Sequence, residues 1–480
     1  MNIIFEKLRM KKIFFCGFLL LCFNYLAQNK TIDSLLFNFI NKDLIKSSHI
    51  GIQLNDISDK KKILAYNDQK LFIPASIQKL FTTAAALSIL PFDFQFETHV
   101  LYSGELNAES NYLEGDIFIV GSGDPSLESK YFKQKSFIKD LSDSLRTKGI
   151  KGVEGELKLI TNQLKTYDVN SNWLWGDIGN YYGAGVSGFT FRDNTVDVFF
   201  NSSNTIGEPT TISRTNPPLD QFIIENKVIS GKTTKDLAYG FGGPNNKNRC
   251  IKGEIPRNKK DFKVKISMHD PKKFLSYEVR NMIDFHDKKM PKSISLDTLL
   301  VYESPLLKQL IDNINHKSNN NYSEHILMKS MSVLDSSIGF DNAALAMHNF
   351  WIKTLNTTEK FMMVDGCGLS RKNAISPSLM NDLLEYMFAH NDQNIKNDFM
   401  NSLPIAGKTG TLKYLGDATI LQNNFFGKSG SMDGIRCYAG YFRKDNKYYS
   451  FSIMLNQLTC SSIQSFKLIE QFMVEVYDQL

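Results

Sequence analysis

Residues 74–91, PASIQKLFTTAAALSILP, are the stretch from which the fold can be read. Ser76 and Lys79 are spaced to lie on one face of a helix. Pro74 suits a helix start, where a missing N–H costs nothing. Pro91 cannot continue the helix and marks its end. Leu80, Phe81, Ala84, Ala85, Leu87, Ile89 and Leu90 are apolar on more than one side, so this helix is expected in the middle of a domain. A Ser–Lys pair at its first turn has a chemical reading. The positive end of the helix dipole favours negative charge near Ser76. Desolvation, or a second cation nearby, lowers the pKa of Lys79. A neutral amine beside a hydroxyl can act as its base and make Ser76 a nucleophile. A lone S-x-x-K is common by chance in a long chain, so the reading needs partners elsewhere.

The totals set the frame for those partners. The chain has 480 residues, room for two or three domains. It is 42% apolar and 22% charged, the composition of a globular protein. A formal charge of +6 is mild, and no basic run carries interleaved aromatics, so nucleic acid is not an expected partner. At the N-terminus Lys7, Arg9, Lys11 and Lys12 precede an apolar run, Ile13 to Leu26, with Ala27 after it. That is the pattern of a secretory signal over residues 1–27, and the run is short for a spanning helix. Either Met1 or Met10 can open it; Cys22 leaves lipid anchoring as a minor option. After Ala27 no comparable apolar run follows, so no transmembrane segment is expected in the mature chain, which is read as soluble after export. Cys250, Cys367, Cys437 and Cys460 remain beyond the signal. Four such cysteines make neither a disulfide scaffold nor a close-paired zinc site. Export permits a bridge, and Cys437–Cys460 is conceivable.

Taken in order, residues 31–46 have helical periodicity, and a hairpin follows, with Ile50, Ile52 and Leu54 alternating before a turn and ILAYN. From about residue 96 short strand-like runs recur: FETHVLYSG, GDIFIVGSG, GELKLIT, TVDVFFN, FIIENKVISG and FKVKISM. One helical segment, roughly 129–147, interrupts them. A block this long is not a loop inside a compact domain. It reads as one or two inserted β-rich domains over 96–290. Helices are then expected at SPLLKQLIDNINHKS, NYSEHILMKSMSVL, 341–355 and 376–389, where Ser376-Pro377 reads as cap and first helical residue. The end reads as three strands, FFGKSGSMDG, IRCYAGYFRK and YYSFSIMLN, closed by a helix.

Two further elements complete a trio with Ser76. Ser318-Asn319-Asn320 stands at the junction of two predicted helices. The third element has two candidates, Lys408-Thr409-Gly410 and Lys428-Ser429-Gly430. A cleft-lining strand is needed, paired from behind. Lys428 opens the first of three consecutive strand patterns, whereas Lys408 precedes a polar, turn-rich stretch. Ser in place of Thr keeps the hydroxyl. Lys428 is therefore taken as the third element and Lys408 as a decoy. S-x-x-K, S-D-N and K-T-G are together the signature of penicillin-binding proteins and class A β-lactamases.

With these residues in place, nearly the whole mature chain resembles the D-alanyl-D-alanine carboxypeptidases/endopeptidases of the DacB, penicillin-binding-protein-4-like type, peptidase family S13. GSGDPSL at 121–127, WLWGDIGNYYGAG at 173–185, RDNTVDVFF at 192–200, DGCGLSR at 365–371 and LPIAGKTGTL at 403–412 carry the likeness. The resemblance implies an α/β (α+β) transpeptidase fold of the penicillin-binding-protein/β-lactamase kind, an antiparallel sheet flanked by helices, formed by 28–95 and 291–480. It implies that Ser76 attacks the carbonyl between two D-alanines of a peptidoglycan stem peptide and forms an acyl-enzyme. Lys79 would take the proton, Ser318 would relay one to the leaving D-alanine, and Asn320 would hold Lys79 and the substrate amide. Lys428 would add positive charge, and Ser429, beside Gly430, would bind the terminal carboxylate. The N–H groups of Ser76 and Ser431 would form the oxyanion hole. Asp177, Tyr182 and Arg371 would shape a pocket for the peptide's diamino-acid side chain. β-Lactams would be trapped at Ser76, and no metal or organic cofactor would be needed.

Other readings of single residues are plainer. Asp177 also fits a turn, Arg371 a structural salt bridge, Asp124 a turn before Pro125, and His325 a packed helical histidine. As a whole, the chain could instead be a β-lactamase or esterase on the same scaffold, though such an enzyme has no use for the long insert. It could also be a non-catalytic envelope-binding protein, against which three intact motifs speak.

Overall fold

The computed structural model describes residues 31–161, 164, 168–218, 223–290 and 295–480. The leader at 1–27 lies outside them. The chain opens with α1 (Ile32–Ile40), β1 (His49–Asp56) and β2 (Lys61–Tyr66), then α2 (Lys79–Ile89). After the β-rich block come α3 (Leu307–Lys317), α4 (Asn320–Leu334), α5 (Phe340–Thr354), α6 (Pro377–Phe388) and α7 (Gln393–Asn401). The chain ends with β3 (Phe425–Met432), β4 (Ile435–Lys444), β5 (Lys447–Asn456) and α8 (Ser462–Asp478).

These ends of the chain meet in one antiparallel sheet, ordered β3-β4-β5-β1-β2. Pairing of β1 with β5, Ile52 opposite Ile453, is what joins residue 50 to residue 450. Period-two alternation gives the sheet two buried faces. On one face Ile50, Ile52, Leu54, Tyr438, Phe451, Ile453 and Leu455 pack with Phe39 of α1 and Ile469, Phe472 and Met473 of α8. On the other face Cys437, Ala439, Tyr441 and Met454 join the core of α2 to α7. Polar residues on that face are matched. Ser452 Oγ donates to Pro377 O at 3.1 Å, and Asn381 Nδ2 donates to Ser450 O at 3.2 Å.

As its sequence requires, α2 is buried on every side over Lys79–Leu87. Phe81 meets Trp351 of α5 edge to face at 5.7 Å. The first turn differs from expectation. Residues Ala75–Gln78 form a 3₁₀ turn, and the α-helix begins at Lys79. The reason is Ala75, which has φ +49° and breaks helical geometry one residue before the serine.

The β-rich block builds four small sheets around its own core, from Val100 through Val198 and Ile266 to Tyr302. Strand Asp297–Glu303 pairs with Glu97–Tyr102, so this core draws on residues past 290. Its first helix runs Phe137–Lys148, capped by Ser136, which starts later than the expected 129. Two longer helices among the described residues had not been anticipated, Pro271–Met282 and α7. The helical periodicity of 31–46 stops at Ile40, where the N–H and side chain of Asn41 turn back to Phe37 O. Cys437 and Cys460 are both free thiols, so the conceivable bridge is not formed; Cys437 is buried with its sulfur 3.6 Å from Ile73 O.

Phe81→Ala would leave a cavity between α2 and α5. We expect a loss of about 3–5 kcal/mol, seen as a lower midpoint of urea unfolding.

Candidate active site

Ser76 sits on the 3₁₀ turn between two close neighbours. From one side comes the turn at 365–368. A Cβ added to Gly368 would lie 1.9 Å from Ala75 O, and Gly368 has φ +78°, so only glycine fits. From the other side comes β3. A Cβ on Gly430 would lie 2.6 Å from Pro74 O and 3.1 Å from the nitrogens of Ser76 and Ile77. The strand thus grazes the serine turn. β3 is the edge of the sheet; residues 404–406 pair with its start, and further on, at Gly430, its far side meets that turn.

Lys79 opens α2 and is fully buried. Its Nζ lies 3.1 Å from Ser76 Oγ, 2.6 Å from Asn320 Oδ1 and 2.6 Å from Cys367 O. Two of these partners are carbonyl oxygens and can only accept. A neutral amine can donate to both and turn its lone pair to the Ser76 hydroxyl. Burial pulls the pKa of Lys79 below its ordinary value, against smaller upward pulls from Cys367, Asp365 and Glu324. Asn320 is the first residue of α4, and its Nδ2 donates to Tyr182 O at 2.7 Å, which fixes the amide orientation.

Ser318 ends α3 in the left-handed region, φ +55°. Asn319 caps α4 by accepting from Tyr322 N–H at 3.3 Å. The sharp reversal points Ser318 at β3, where Lys428 Nζ lies 3.0 Å from its Oγ and 2.8 Å from Ser429 O. Lys428 is fully buried, and burial followed by the nearby Lys79 holds its pKa well below the usual lysine value. Lys408 is exposed on a turn whose N–H returns to Ile405 O. The structure therefore brings Ser76, Lys79, Ser318, Asn320 and Lys428 together, and leaves Lys408 outside. Ser429 and Ser431 follow Lys428 on β3, half-buried and exposed respectively.

Asp177 and Tyr182 lie on consecutive short helical turns, Trp175–Ile178 and Tyr181–Gly183, with Tyr182 Oη 3.4 Å from Asp177 Oδ1. Burial raises the pKa of Asp177, opposed by Tyr182 and by the charge of Arg371. Arg371 is exposed and donates to Asp433 O at 3.2 Å, just past the end of β3. The three side chains thus stand on the side of the site marked by Tyr182 O and the β3 end. His325 packs against Thr190 Oγ1 at 2.7 Å, and burial pushes it down to about 3, so it is a neutral core residue. Asp124 folds its own turn, accepting from Ser126 N–H and O–H at 2.7 and 2.6 Å.

One group beneath the site was not foreseen. Glu324, Asp365 and Cys367 lie buried under Lys79 with their ligand atoms within 4.8 Å of one another. The DGCGLSR segment carried the signal, but only Arg371 had been taken from it. A cation would find little there, because four donors already occupy the oxygens of Asp365: Gly368 N, Ser370 N, Asn373 Nδ2 and Trp173 Nε1, at 2.6–2.9 Å.

The chain is similar to known proteins over most of its length. Residues 31–480 match the D-Ala-D-Ala carboxypeptidase 3 (S13) family. The chain belongs to that family. It is 25% identical to D-alanyl-D-alanine carboxypeptidase DacB of Haemophilus influenzae over 415 residues, 84% of each chain. It is 22% identical to D-alanyl-D-alanine carboxypeptidase of Actinomadura sp. (strain R39), covering 85% of this chain and 77% of that one. Among solved structures, penicillin binding protein 4 (dacB) of H. influenzae superposes with a TM-score of 0.77 at 24% identity, covering 92% of this chain and 98% of that one. The same protein complexed with a novel β-lactam gives 0.74 at 22% identity, covering 94% and 99%. In this S13 chain the expected sheet-and-helix fold is thus present.

Gly368→Ala would drive a methyl group into the Ala75 carbonyl and strain a left-handed position. We expect a loss of at least about 2 kcal/mol in urea unfolding, together with slower reaction of Ser76 with acylating reagents.

Proposed function

We propose that Ser76 is the nucleophile through which this S13 enzyme, a serine-type D-Ala-D-Ala carboxypeptidase, acts on peptidoglycan peptides. One observation carries the reading: two fully buried lysines, each within hydrogen-bond reach of its own serine hydroxyl, meet across one cleft. Burying a lysine costs free energy unless its proton is given up or well partnered, so such a pair marks a functional site.

The proposed steps are these. Lys79, as a neutral amine, removes the proton as Ser76 Oγ attacks the carbonyl of the penultimate D-alanine. The oxyanion that forms is received by the N–H groups of Ser76 and Ser431, where β3 passes the serine turn. Lys428, with Ser429, draws in the terminal carboxylate. Ser318, bonded to Lys428, relays the proton taken by Lys79 to the leaving amine as the peptide bond breaks, which returns Lys79 to the neutral amine. Water then attacks the ester and frees the enzyme. The same attack opens a β-lactam ring, but there the leaving group stays tethered, so the adduct persists. Asp177, Tyr182 and Arg371 supply an acid, a hydroxyl and a cation beside the cleft, a set that suits the amine and carboxylate of a diamino-acid side chain. The β-rich block, residues 96–290 with the strand at 297–303, would present two of these three. Residues 1–27 would direct export to the periplasm, and no helix among the described residues is long and apolar enough to cross a membrane.

Two tests apply. A fluorescent penicillin should label the chain, with the mass adduct on Ser76, and release of D-alanine from a D-Ala-D-Ala peptide should be lost in Ser76→Ala. A label elsewhere on folded protein overturns the assignment, and rapid turnover of a chromogenic cephalosporin would favour a β-lactamase. Lys428→Ala should slow acylation by about 10²–10³-fold, whereas Lys408→Ala should leave it within about twofold of wild type, as for a surface change. The reverse ranking would assign the cleft to the wrong lysine.

A further inference from the structure

We propose that Glu324 is a positioning residue for the catalytic base: a neutral, protonated acid that fixes the 365–368 turn, whose carbonyl in turn holds Lys79. The inference rests on the roles given above to Ser76 and Lys79 and adds a part that neither the sequence motifs nor the family match assigns.

The geometry begins with spacing. Glu324 lies four residues after Asn320 on α4, so both project from one face of that helix, toward α2. Glu324 Oε1 accepts from Gly366 N–H at 2.8 Å. The carbonyl of the same Gly366 accepts from Thr82 Oγ1 of α2 at 2.6 Å and from Ser323 Oγ of α4 at 2.8 Å. Gly366 is therefore clamped on both its polar groups, one residue before Cys367, whose carbonyl accepts from Lys79 Nζ at 2.6 Å. Removing the clamp on the Gly366 N–H would leave a buried donor unpaired and free the turn to shift.

Charge counting then assigns the proton. Glu324 and Asp365 are 1% and 0% exposed, and their oxygens lie within 4.8 Å of each other. Two carboxylates so close and so dry do not both ionise. Asp365 accepts from four donors, as an anion does. Glu324 has the Gly366 N–H and the Cys367 thiol beside it. The proton therefore resides on Glu324. Burial first, and Asp365 second, push its pKa up to about 8, in keeping with this assignment. The titratable groups facing it are Asp365 and Cys367 from the turn and Lys79 from α2. The consequence concerns the base. An ionised Glu324 would stabilise the ammonium form of Lys79, whereas a protonated one leaves the amine free to be neutral.

Glutamine reproduces a protonated glutamate, with one acceptor and one donor, but not an ionised one, which only accepts. Methionine has similar bulk and neither group. The test measures the acylation rate constant with a fluorescent penicillin across pH, with thermal unfolding in parallel, for wild type, Glu324→Gln and Glu324→Met. We expect Glu324→Gln within about threefold of wild type, with its rise in rate shifted by no more than about 0.3 pH unit. We expect Glu324→Met to be at least about tenfold slower. A Gln variant as slow as the Met variant, a Met variant as fast as wild type, or a rise displaced downward by about one pH unit or more in Glu324→Gln would overturn the proposal. If Glu324→Met does not fold, the pH profile of Glu324→Gln decides alone. A wild-type chain that takes no label on Ser76 overturns the assignment of the nucleophile and this inference with it, whereas a labelled wild type with a damaged Gln variant overturns this inference only.

Discussion

The constraint on which the structure depends is the removal of two lysine amines from water in one cleft. In bulk solvent each would be a hydrated cation. In the dry junction between α2, the α3–α4 reversal and β3, each has only a few polar neighbours, and every one is specified. Lys79 is met by a serine hydroxyl, an amide oxygen and a backbone carbonyl. Lys428 is met by a serine hydroxyl and a carbonyl. Because burial opposes charge and the two amines oppose each other, at least one is biased toward the neutral state. In the proposed mechanism that bias is what would make the Ser76 hydroxyl a nucleophile.

Holding the amines there takes the rest of the fold. α2 must be sheathed on all sides to carry Lys79 into the interior, and the core of α3 to α7 supplies that sheath. β3 must be backed by β4 and β5 to stand firmly opposite, and α1 and α8 close the outer face of that sheet. Ser318 in the left-handed region and Ala75 at positive φ are local strains, each of order 1 kcal/mol or more. Both fall at the cleft, one at Ser318 itself and the other one residue before Ser76.

Much of this was legible in the sequence, for identifiable reasons. The strands and helices around the sheet follow from period-two and period-3.6 alternation. Ser76–Lys79 and Ser318–Asn320 are short-range spacings that a helix and a helix junction convert into geometry. Lys428 could be preferred over Lys408 because strand alternation surrounds one and not the other. What could not be read depends on contacts distant along the chain. The carbonyl of Ala75 is packed against Gly368, nearly three hundred residues on. The Cys367 carbonyl carries no side-chain signal at all, and the burial of Glu324 beside Asp365 is invisible to any local pattern. The helix Pro271–Met282 was missed although Asp270 and Pro271 announce it, because the charged residues after them obscured its apolar face.

The hydrogen bond from Asn320 to Tyr182 has a mechanical meaning. It is a clasp between the β-rich block and the side-chain amide whose oxygen accepts from Lys79 Nζ. The peptide carbonyl that grips Asn320 belongs to the same residue whose phenol stands beside Asp177. With the roles proposed above, one residue would face the substrate through its ring and the Lys79 amine, by way of Asn320, through its carbonyl.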